Sequence, residues 1–309
     1  MSLLSATGLL AAAPASQAVT YGISDQQAAT FVNPLYRPLN LKVARYVIPY
    51  DVMSDKTQLD RWDAWHKAAR AANQRILISI EHSRTHGKEQ QTPTLAQYEL
   101  ATKAFRTAYP DVKEINTWNE VNACQKGART ERQPRGICRP SKARLLDQFY
   151  ASNRKVFRGA TIIPMDVLDD RATSASSAVA YIKAFKKVTK KMPTIWGVHN
   201  YSDTNRFSDT RLKKILKAIG PKGKIWLLET GGQLNVFGGT LAKKEAGAAK
   251  ALKCMFYIAN KYRSRVQRNY IYQFNGAVPG ATFDAGLIDH QNNKRPGYTV
   301  VQKRQRAKC

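Results

Sequence analysis

Short apolar runs alternate with amphipathic stretches along almost the whole chain, and this alternation is its strongest signal. Most of the runs are continuously apolar rather than alternating with polar residues, which is typical of parallel strands covered by helices. We therefore expect eight strands, at residues 19–24, 42–48, 75–81, 114–120, 160–166, 194–201, 224–230 and 269–275.

The stretches between these strands carry the start signals and one-sided apolar faces of helices. Helices are expected after Ser54, Thr94, Ser141, Ser174 and Ser208, over residues 242–262, and from Arg295 and Pro296 onward. Thr94 and Gln97 have the spacing of a capping box. Pro34 and Pro38 shorten any helix in the first crossover, residues 26–40.

Eight strand–helix repeats without a linker predict an α/β protein whose residues 19–309 form a single (β/α)8 TIM barrel. The alternative is an open, doubly wound sheet. It is not favoured, because "YGISDQQ" at the first strand lacks the G-x-G-x-x-G phosphate loop. Trp62 and Trp65 share the apolar face of the helix after the second strand, so we expect both in the core.

Polar residues crowd at the carboxyl ends of the predicted strands, where barrels carry their functional groups. Glu120 ends the fourth strand and Glu229 the seventh, and these strands face each other across the mouth of an eight-stranded barrel. One protonated and one ionised carboxyl group placed in this way can cleave a glycosidic bond. Weaker candidates, here for contacts with the substrate, are Asp25, Glu81, His82, Asp166 and Asp169, although such side chains more often bond loop backbone.

Three motifs carry a resemblance to a known group: "TWNEVN" at the fourth strand, "GVHNY" at the sixth and "WLLETG" at the seventh. Together they resemble the retaining glycoside hydrolases of clan A, the four–seven superfamily. The segment "FDAGLIDHQNNKRPGY" (283–298) is similar to the tail of family 39-like members. The resemblance implies an O-glycosidase that cleaves a polysaccharide or oligosaccharide by double displacement, with no metal and no cofactor.

Carried over to this chain, the resemblance makes Glu229 the nucleophile and Glu120 the general acid/base. Asn119 would hydrogen-bond the sugar 2-hydroxyl, which strengthens in the transition state, and Tyr201 would hold Glu229. The other substrate-binding residues that it implies are Arg45 beneath the nucleophile, His199 on the same wall, Trp118 as platform or core, and Tyr272 and Phe274 in place of the tryptophan platform of many members.

The charge balance changes the expected partners rather than the fold. The 309 residues include 50 Lys and Arg against 22 Asp and Glu, a net charge of +28, which favours an acidic polysaccharide, nucleic acid or an anionic cell surface. The loop 124–138 adds Lys126, Arg129, Arg132 and Arg135, either as a grip on an anionic polymer or as a solvated basic rim. No nucleic-acid-binding module accompanies the charge, so specific binding of nucleic acid is not expected. The alternative function is a non-catalytic barrel that binds a carbohydrate or a cell surface.

The first 18 residues and the four cysteines indicate a secreted protein. Residues 3–13 are apolar and "ASQA" ends in a small-x-small pattern, so cleavage is expected after Ala18, although no basic segment precedes the run. Four cysteines allow three pairings. We expect Cys124–Cys138 and Cys254–Cys309, with free buried thiols as the alternative. No zinc-site spacing or membrane-spanning run occurs, and we expect a monomer.

Overall fold

The computed structural model describes residues 18–124, 133, 134, 136–169 and 174–309. Of the predicted leader, only Ala18 is among the described residues, so the leader stays a prediction. The four cations of the loop after the fourth strand also lie outside the described residues, and they are Lys126, Arg129, Arg132 and Arg135. No helix in the described ranges is long and apolar enough to cross a bilayer.

Nine strand segments form one parallel sheet that closes almost completely into a barrel. They are β1 (Thr20–Ser24), β2 (Val43–Pro49), β3 (Arg75–Glu81), β4 (Glu114–Asn116), β5 (Thr161–Ile163), β6 (Asp166–Leu168), β7 (Ile195–His199), β8 (Lys224–Thr230) and β9 (Val266–Ile271). The first strand pairs with the last, β5 continues the sheet from β4, and β6 continues it from β7.

The segments β5 and β6 are two halves of one barrel strand, separated by Pro164 and Met165. Proline has no N–H to give to a ladder, so the pairing breaks there. Counted as one, they bring the barrel to eight strands, and the predicted (β/α)8 architecture is confirmed. The predicted fourth strand is too long, because its ladder ends at Asn116 and a turn at residues 119–122 carries Glu120.

Helices fill the connections and cover the outside of the sheet. In the described ranges they are α1 (Ala29–Val32), α2 (Lys56–Ala71), α3 (Leu95–Ala108), α4 (Ala143–Val156), α5 (Ser174–Val188), α6 (Tyr201–Asn205), α7 (Thr210–Ile219), α8 (Leu241–Lys261) and α9 (Pro296–Lys303). The predicted capping box of α3 is present. The cap of α2 is Asp55, one residue after the expected Ser54, because the Asp55 carboxylate accepts from the Gln58 backbone N–H.

Apolar packing fills much of the barrel, and a buried ion pair between Glu114 at the start of β4 and Arg268 of β9 lies far from the carboxyl end. Trp62 and Trp65 are fully buried between α2 and the sheet, as predicted. A separate cluster fills the interior and consists of Val43, Leu77, Ile163, Trp226, Leu228 and Tyr270. Both predicted disulfides are present: Cys124–Cys138 joins the ends of the loop after β4, and Cys254–Cys309 ties the C-terminus to α8.

Candidate active site

The inward-facing residues of β2 and β3 change from apolar to polar toward the mouth. Residues two apart share one face of a strand, so Val43 of the interior cluster is followed by Arg45 and then by Val47 at the mouth. On β3, Leu77 is likewise followed by Ser79. The polar groups therefore stand on a dry apolar layer, where electrostatic interactions are stronger than in water.

The guanidinium group of Arg45 is fully buried and organises the site. Its Nη1 lies 2.5 Å from Glu229 Oε1, and its Nη2 lies 2.7 Å from Asn119 Oδ1 and 3.1 Å from Asp166 Oδ2. The hydroxyls of Ser24 and Ser79 accept the remaining N–H groups. All five donors of the guanidinium thus have acceptors, which fixes its orientation and the three side chains above it.

Glu229 is held at both carboxylate oxygens. Arg45 contacts Oε1, and the Tyr201 hydroxyl donates to Oε2 over 3.2 Å. Burial and then the negative charge of Glu229 raise the pKa of Tyr201 well above its ordinary value, so this hydroxyl keeps its proton and remains a donor. A cation and a neutral donor both favour the ionised carboxylate.

Glu120 projects from a strained turn directly beyond β4. Its φ of +42° is in the left-handed region, which a residue with a side chain rarely adopts. Its backbone N–H donates to Asp166 Oδ1, which holds the turn in place. Backbone strain of this kind, maintained by a buried carboxylate, is found preferentially at functional sites.

The environment of the Glu120 carboxyl group favours its protonated form. Burial raises its pKa most, the hydrogen bond and charge of His199 lower it, and the charges of Glu229 and Asp166 raise it again, for a net increase. His199 Nδ1 lies 2.9 Å from Glu120 Oε1. A carboxyl group with a raised pKa can deliver a proton near neutral pH.

Asp166 and His199 form a buried ion pair beneath the two glutamates. Burial alone would raise the pKa of Asp166, but the charge and hydrogen bond of His199 and the charge of Arg45 lower it overall. Burial alone would lower the pKa of His199, but Asp166 and Glu229 raise it to about 10. The imidazole is therefore a cation at neutral pH.

These charges balance only when Glu120 is protonated. Arg45 and His199 supply two positive charges, and Asp166 and Glu229 supply two negative charges, so an ionised Glu120 would leave one buried negative charge in excess. An unbalanced buried charge is costly. Charge balance thus favours the same protonation state of Glu120 as its raised pKa.

The two glutamates lie close enough to act on one bond. Glu120, His199 and Glu229 each present one atom within 4.8 Å of the others, a closest approach that is compatible with the 5–5.5 Å carboxyl separation of retaining glycosidases. The same three atoms could in principle ligate a metal ion. Binding of a metal ion there would require His199 to lose its proton.

Four of the residues predicted to bind substrate have no exposed surface in this structure: Arg45, His199, Trp118 and Phe274. Arg45 and His199 lie beneath the two glutamates and contact them. Trp118 packs on Tyr98 and Phe149 on the helix side of the sheet, and its Nε1 donates to Gln133. Phe274 also has no exposed surface and packs edge-on against Tyr36. Both are core residues, which is the second of the two alternatives for Trp118, and the prediction of substrate contact for Phe274 is wrong.

Above the glutamates lies an open cavity of about 430 Å³. Asn119, Glu120, Glu229 and Tyr272 line it as expected. Glu81 and His82, two of the weaker candidates, also line it. The other lining residues were not predicted, and they are Gln26, Val47, Arg84 and Glu89. Gln26 lies in the connection after β1, Val47 belongs to β2, and Arg84 and Glu89 lie in the connection after β3. The cavity wall is strongly polar and offers many partners to a hydroxylated ligand.

One aromatic side chain at this mouth was also missed. Phe283 is 36% exposed and makes edge contacts with Tyr201 at 5.8 Å and with Tyr272 at 5.6 Å between ring centroids. It lies in the segment 283–298 that carried the family 39-like resemblance, which was the available signal. Phe283, rather than Phe274, is the exposed aromatic beside Tyr272.

Two weaker candidates bond loop backbone, as expected of them. Asp25 accepts from the backbone N–H groups of Phe274 and Asn275, and so fastens the loop after β9 to the first strand. Asp169 accepts from the backbone of Ser202 and Asp203 at the start of α6. Both carboxylates shape the mouth from below without facing the cavity.

Comparison with known proteins identifies the fold. No protein-family model and no curated protein sequence matches the chain. Among solved structures it is similar to a family 39 glycoside hydrolase from Bacteroides cellulosilyticus WH2 (TM-score 0.64, 17% identity, 93% of this chain and 63% of that one). It is also similar to a psychrophilic family 10 endo-β-1,4-xylanase (0.67, 12%, 92% and 96%) and to an endo-β-1,4-glucanase from Xanthomonas axonopodis pv. citri (0.63, 16%, 93% and 98%). This chain therefore spans less than two thirds of the family 39 enzyme but nearly the full length of the other two. At these identities the likeness shows the barrel fold, and family 39 is one of several families that share it.

Proposed function

We propose that this protein is a retaining O-glycosidase acting on a polysaccharide or oligosaccharide, with Glu229 as nucleophile and Glu120 as general acid/base. The observation that carries the proposal is the pairing of two carboxyl groups within 4.8 Å in opposite environments. Arg45 and Tyr201 favour a charged Glu229, and burial favours a protonated Glu120. Retaining hydrolysis needs one group of each kind.

In the first step, a Glu229 oxygen attacks the anomeric carbon of the bound sugar while Glu120 gives its proton to the glycosidic oxygen. One carbon–oxygen bond forms, the glycosidic bond breaks, and the leaving group departs as a neutral alcohol. Arg45 and Tyr201 release charge density as Glu229 becomes an ester, but their other bonds keep them in place. Asn119, fixed by Arg45 and Glu81, would meet the sugar 2-hydroxyl.

In the second step, Glu120 takes a proton from water, which attacks the anomeric carbon and releases Glu229. The charge balance of the site supports this change of role. Once Glu229 is esterified its negative charge is gone, and an ionised Glu120 then restores two negative charges against Arg45 and His199. The same residue can therefore be an acid in one step and a base in the next.

The similar folds support a glycan as substrate, because the solved neighbours include enzymes described as a xylanase and a glucanase. An anionic glycan is favoured by the net charge of +28. The two disulfides favour an oxidising compartment. Together with the predicted leader, they support secretion, and we keep the predictions of a monomer and of one catalytic domain over residues 19–309.

The test is the stereochemistry of hydrolysis. We expect NMR of an aryl-glycoside reaction to show a first-formed sugar with the anomeric configuration of the substrate, and we expect Glu229→Gln to abolish the reaction. Glu99→Gln on α3, which makes the same charge change away from the mouth, is the matched control and should keep full activity. A first product of inverted configuration, or an active Glu229→Gln enzyme, would refute the mechanism.

A further inference from the structure

We propose a second glycan-binding site on the outer wall of the barrel, a groove between α5 and α7 that holds an acidic polysaccharide. The groove has a volume of about 590 Å³. Its lining residues are Val179, Lys183, Lys186, Lys187, Lys214, Lys217 and Ala218, which we call the lysine groove. The choice of a glycan as its occupant rests on the function proposed above.

The two helices that form the groove carry positive charge and no negative charge. Helix α5 reads SASSAVAYIKAFKKV and α7 reads TRLKKILKAI, without a single Asp or Glu. Lys183 and Lys187 are one turn apart on α5, and Lys214 and Lys217 are three residues apart on α7. At 1.5 Å per residue, each row spans roughly 4.5–6 Å along the groove.

The four lysines are exposed, and no acid neutralises them. In the part of the chain that the structure describes, Lys183, Lys187, Lys214 and Lys217 take part in no ion pair. The neighbouring Lys213 shows the contrast, since it contacts Asp209 at 3.0 Å. Four like charges held side by side repel one another, and a bound polyanion would relieve that repulsion.

The fifth lysine fixes the shape of the groove instead of facing it. Lys186 Nζ donates to the backbone carbonyls of Ala218 and Ile219 at 2.8 and 3.0 Å. These carbonyls end α7, where a cation is favourable. Lys186 thereby ties α5 to the end of α7, so the two lysine rows keep a fixed separation before any ligand arrives.

The lysine groove is separate from the catalytic cavity. Each barrel helix starts near the mouth and runs back toward the opposite end, because it must connect the carboxyl end of one strand to the start of the next. Lys183 and Lys187 lie in the second half of α5, Lys217 lies in the last turn of α7, and Lys214 lies at the middle of α7. A polymer bound there leaves the cavity free, so the groove would keep the enzyme on an acidic glycan between cleavage events.

The occupant must be anionic, repetitive and in reach of the exposed lysines, which describes a polysaccharide bearing carboxylate or sulfate groups. Nucleic acid and anionic lipid share the charge. A glycan is favoured because the same molecule carries a polar cavity with a pair of glutamates suited to glycosidic bonds. Val179 and Ala218 add apolar lining against which the less polar faces of sugar rings can pack.

The test measures binding to polygalacturonate, with dextran as neutral glycan, a DNA duplex and phosphatidylserine vesicles as the other arms. Binding is measured in the Glu229→Gln chain, so that the polymer is not cut. We expect tighter binding to polygalacturonate than to the other three, with an affinity that falls as salt is added. Replacing Lys183, Lys187, Lys214 and Lys217 by Gln should weaken it by about tenfold or more.

The matched control replaces Lys42, Lys67, Lys103 and Lys303 by Gln, four exposed lysines on other faces. It loses the same net charge and should change the affinity by less than about twofold. Equal losses of affinity in both variants would refute the lysine groove as the binding site. Tighter binding to DNA or vesicles than to polygalacturonate would refute a glycan as its occupant. With Glu229 restored, the groove variant should hydrolyse a small aryl glycoside as the unmodified enzyme does. An unmodified enzyme that hydrolyses no glycoside would refute the proposed function alone.

Discussion

The mouth of the barrel and the lysine groove treat charge in opposite ways. At the mouth, Arg45, Asp166 and His199 are fully buried, and each contacts an opposite charge. On the outer wall, exposed lysines such as Lys183 and Lys214 stand together, and no acid is among the described residues that line their groove. One protein of net charge +28 thus contains a small, almost neutral charged site and a large uncompensated one.

Under the two proposals, the difference separates charges that would perform chemistry from charges that would attract a partner. A buried charge is tolerated only when a partner balances it, so each group at the mouth depends on the others. An exposed charge costs little to hold, acts at long range, and weakens with salt. Changes at the mouth should therefore alter catalysis and stability together, whereas changes in the lysine groove should alter binding alone.

The largest contrast is expected in catalysis. Glu229→Gln should reduce kcat for an aryl glycoside on the order of 10⁴-fold or more, because the amide cannot form the covalent intermediate. Lys214→Gln in the lysine groove should leave kcat unchanged. Steady-state kinetics of both variants check this, and comparable losses would erase the distinction between the two regions.

The second contrast concerns stability. Arg45→Met should lower the free energy of unfolding by about 3–5 kcal/mol, because it leaves Asp166 and Glu229 buried without their shared cation. Lys214→Gln should stay within about 0.5 kcal/mol of the unmodified protein, as surface substitutions usually do. Urea unfolding followed by circular dichroism measures both values, and an Arg45→Met protein of normal stability would contradict the network.

A further contrast appears in the pH dependence of stability. His199 has a folded pKa of about 10 against an ordinary 6.5, so its stabilising contribution is complete below pH 6.5 and is lost as pH rises toward 10. The unmodified protein should lose more unfolding free energy over this range than His199→Gln does. The quadruple lysine-to-glutamine variant of the groove should keep the slope of the unmodified protein. Equal slopes for His199→Gln and the unmodified protein would show that the imidazole is not held charged.

The smallest effect is expected at the rim. Phe283→Ala should raise KM by roughly threefold to tenfold with little change in kcat, because an exposed aromatic face packs on bound sugar and takes no part in bond breaking. Val236→Ala, which also removes exposed apolar surface, is the control and should leave KM unchanged. A Phe283→Ala enzyme with normal KM would exclude this ring from the substrate path.

The sequence was sufficient for the barrel and for the residues that meet at its mouth. Continuous apolar runs are a strong signal of buried parallel strands, and polar residues at their carboxyl ends must converge in a closed barrel. Arg45, Asn119, Glu120, His199, Tyr201 and Glu229 do converge. Their chemical roles remain predictions until kinetics test them.

The orientation of individual rings could not be predicted in the same way. Trp118 and Phe274 both lie just beyond the regular ladder, where the alternation of inward and outward side chains no longer holds. Trp118 consequently turns toward α3 and α4, and Phe274 toward Tyr36. The left-handed turn at Glu120 is hidden from sequence for the same reason, since Asp166 of another strand enforces it.

The lysine groove was equally invisible along the chain. Its two halves lie about thirty residues apart, and each alone resembles an ordinary solvated helix face. The lysines of the two helices form one positively charged groove only because the fold packs α5 beside α7 and Lys186 binds the end of α7.

The central claim is that the two glutamates of one mouth are held in opposite protonation states. Its most direct test is the pKa of Glu120, measured by carbon NMR of the carboxyl group. In the unmodified protein we expect a pKa above the ordinary value, because burial and the charge of Glu229 both raise it. In Glu229→Gln the pKa of Glu120 should fall, yet remain raised by burial. An unchanged pKa after Glu229 is neutralised, or an ordinary pKa in the unmodified protein, would contradict the division of roles between the two carboxyl groups.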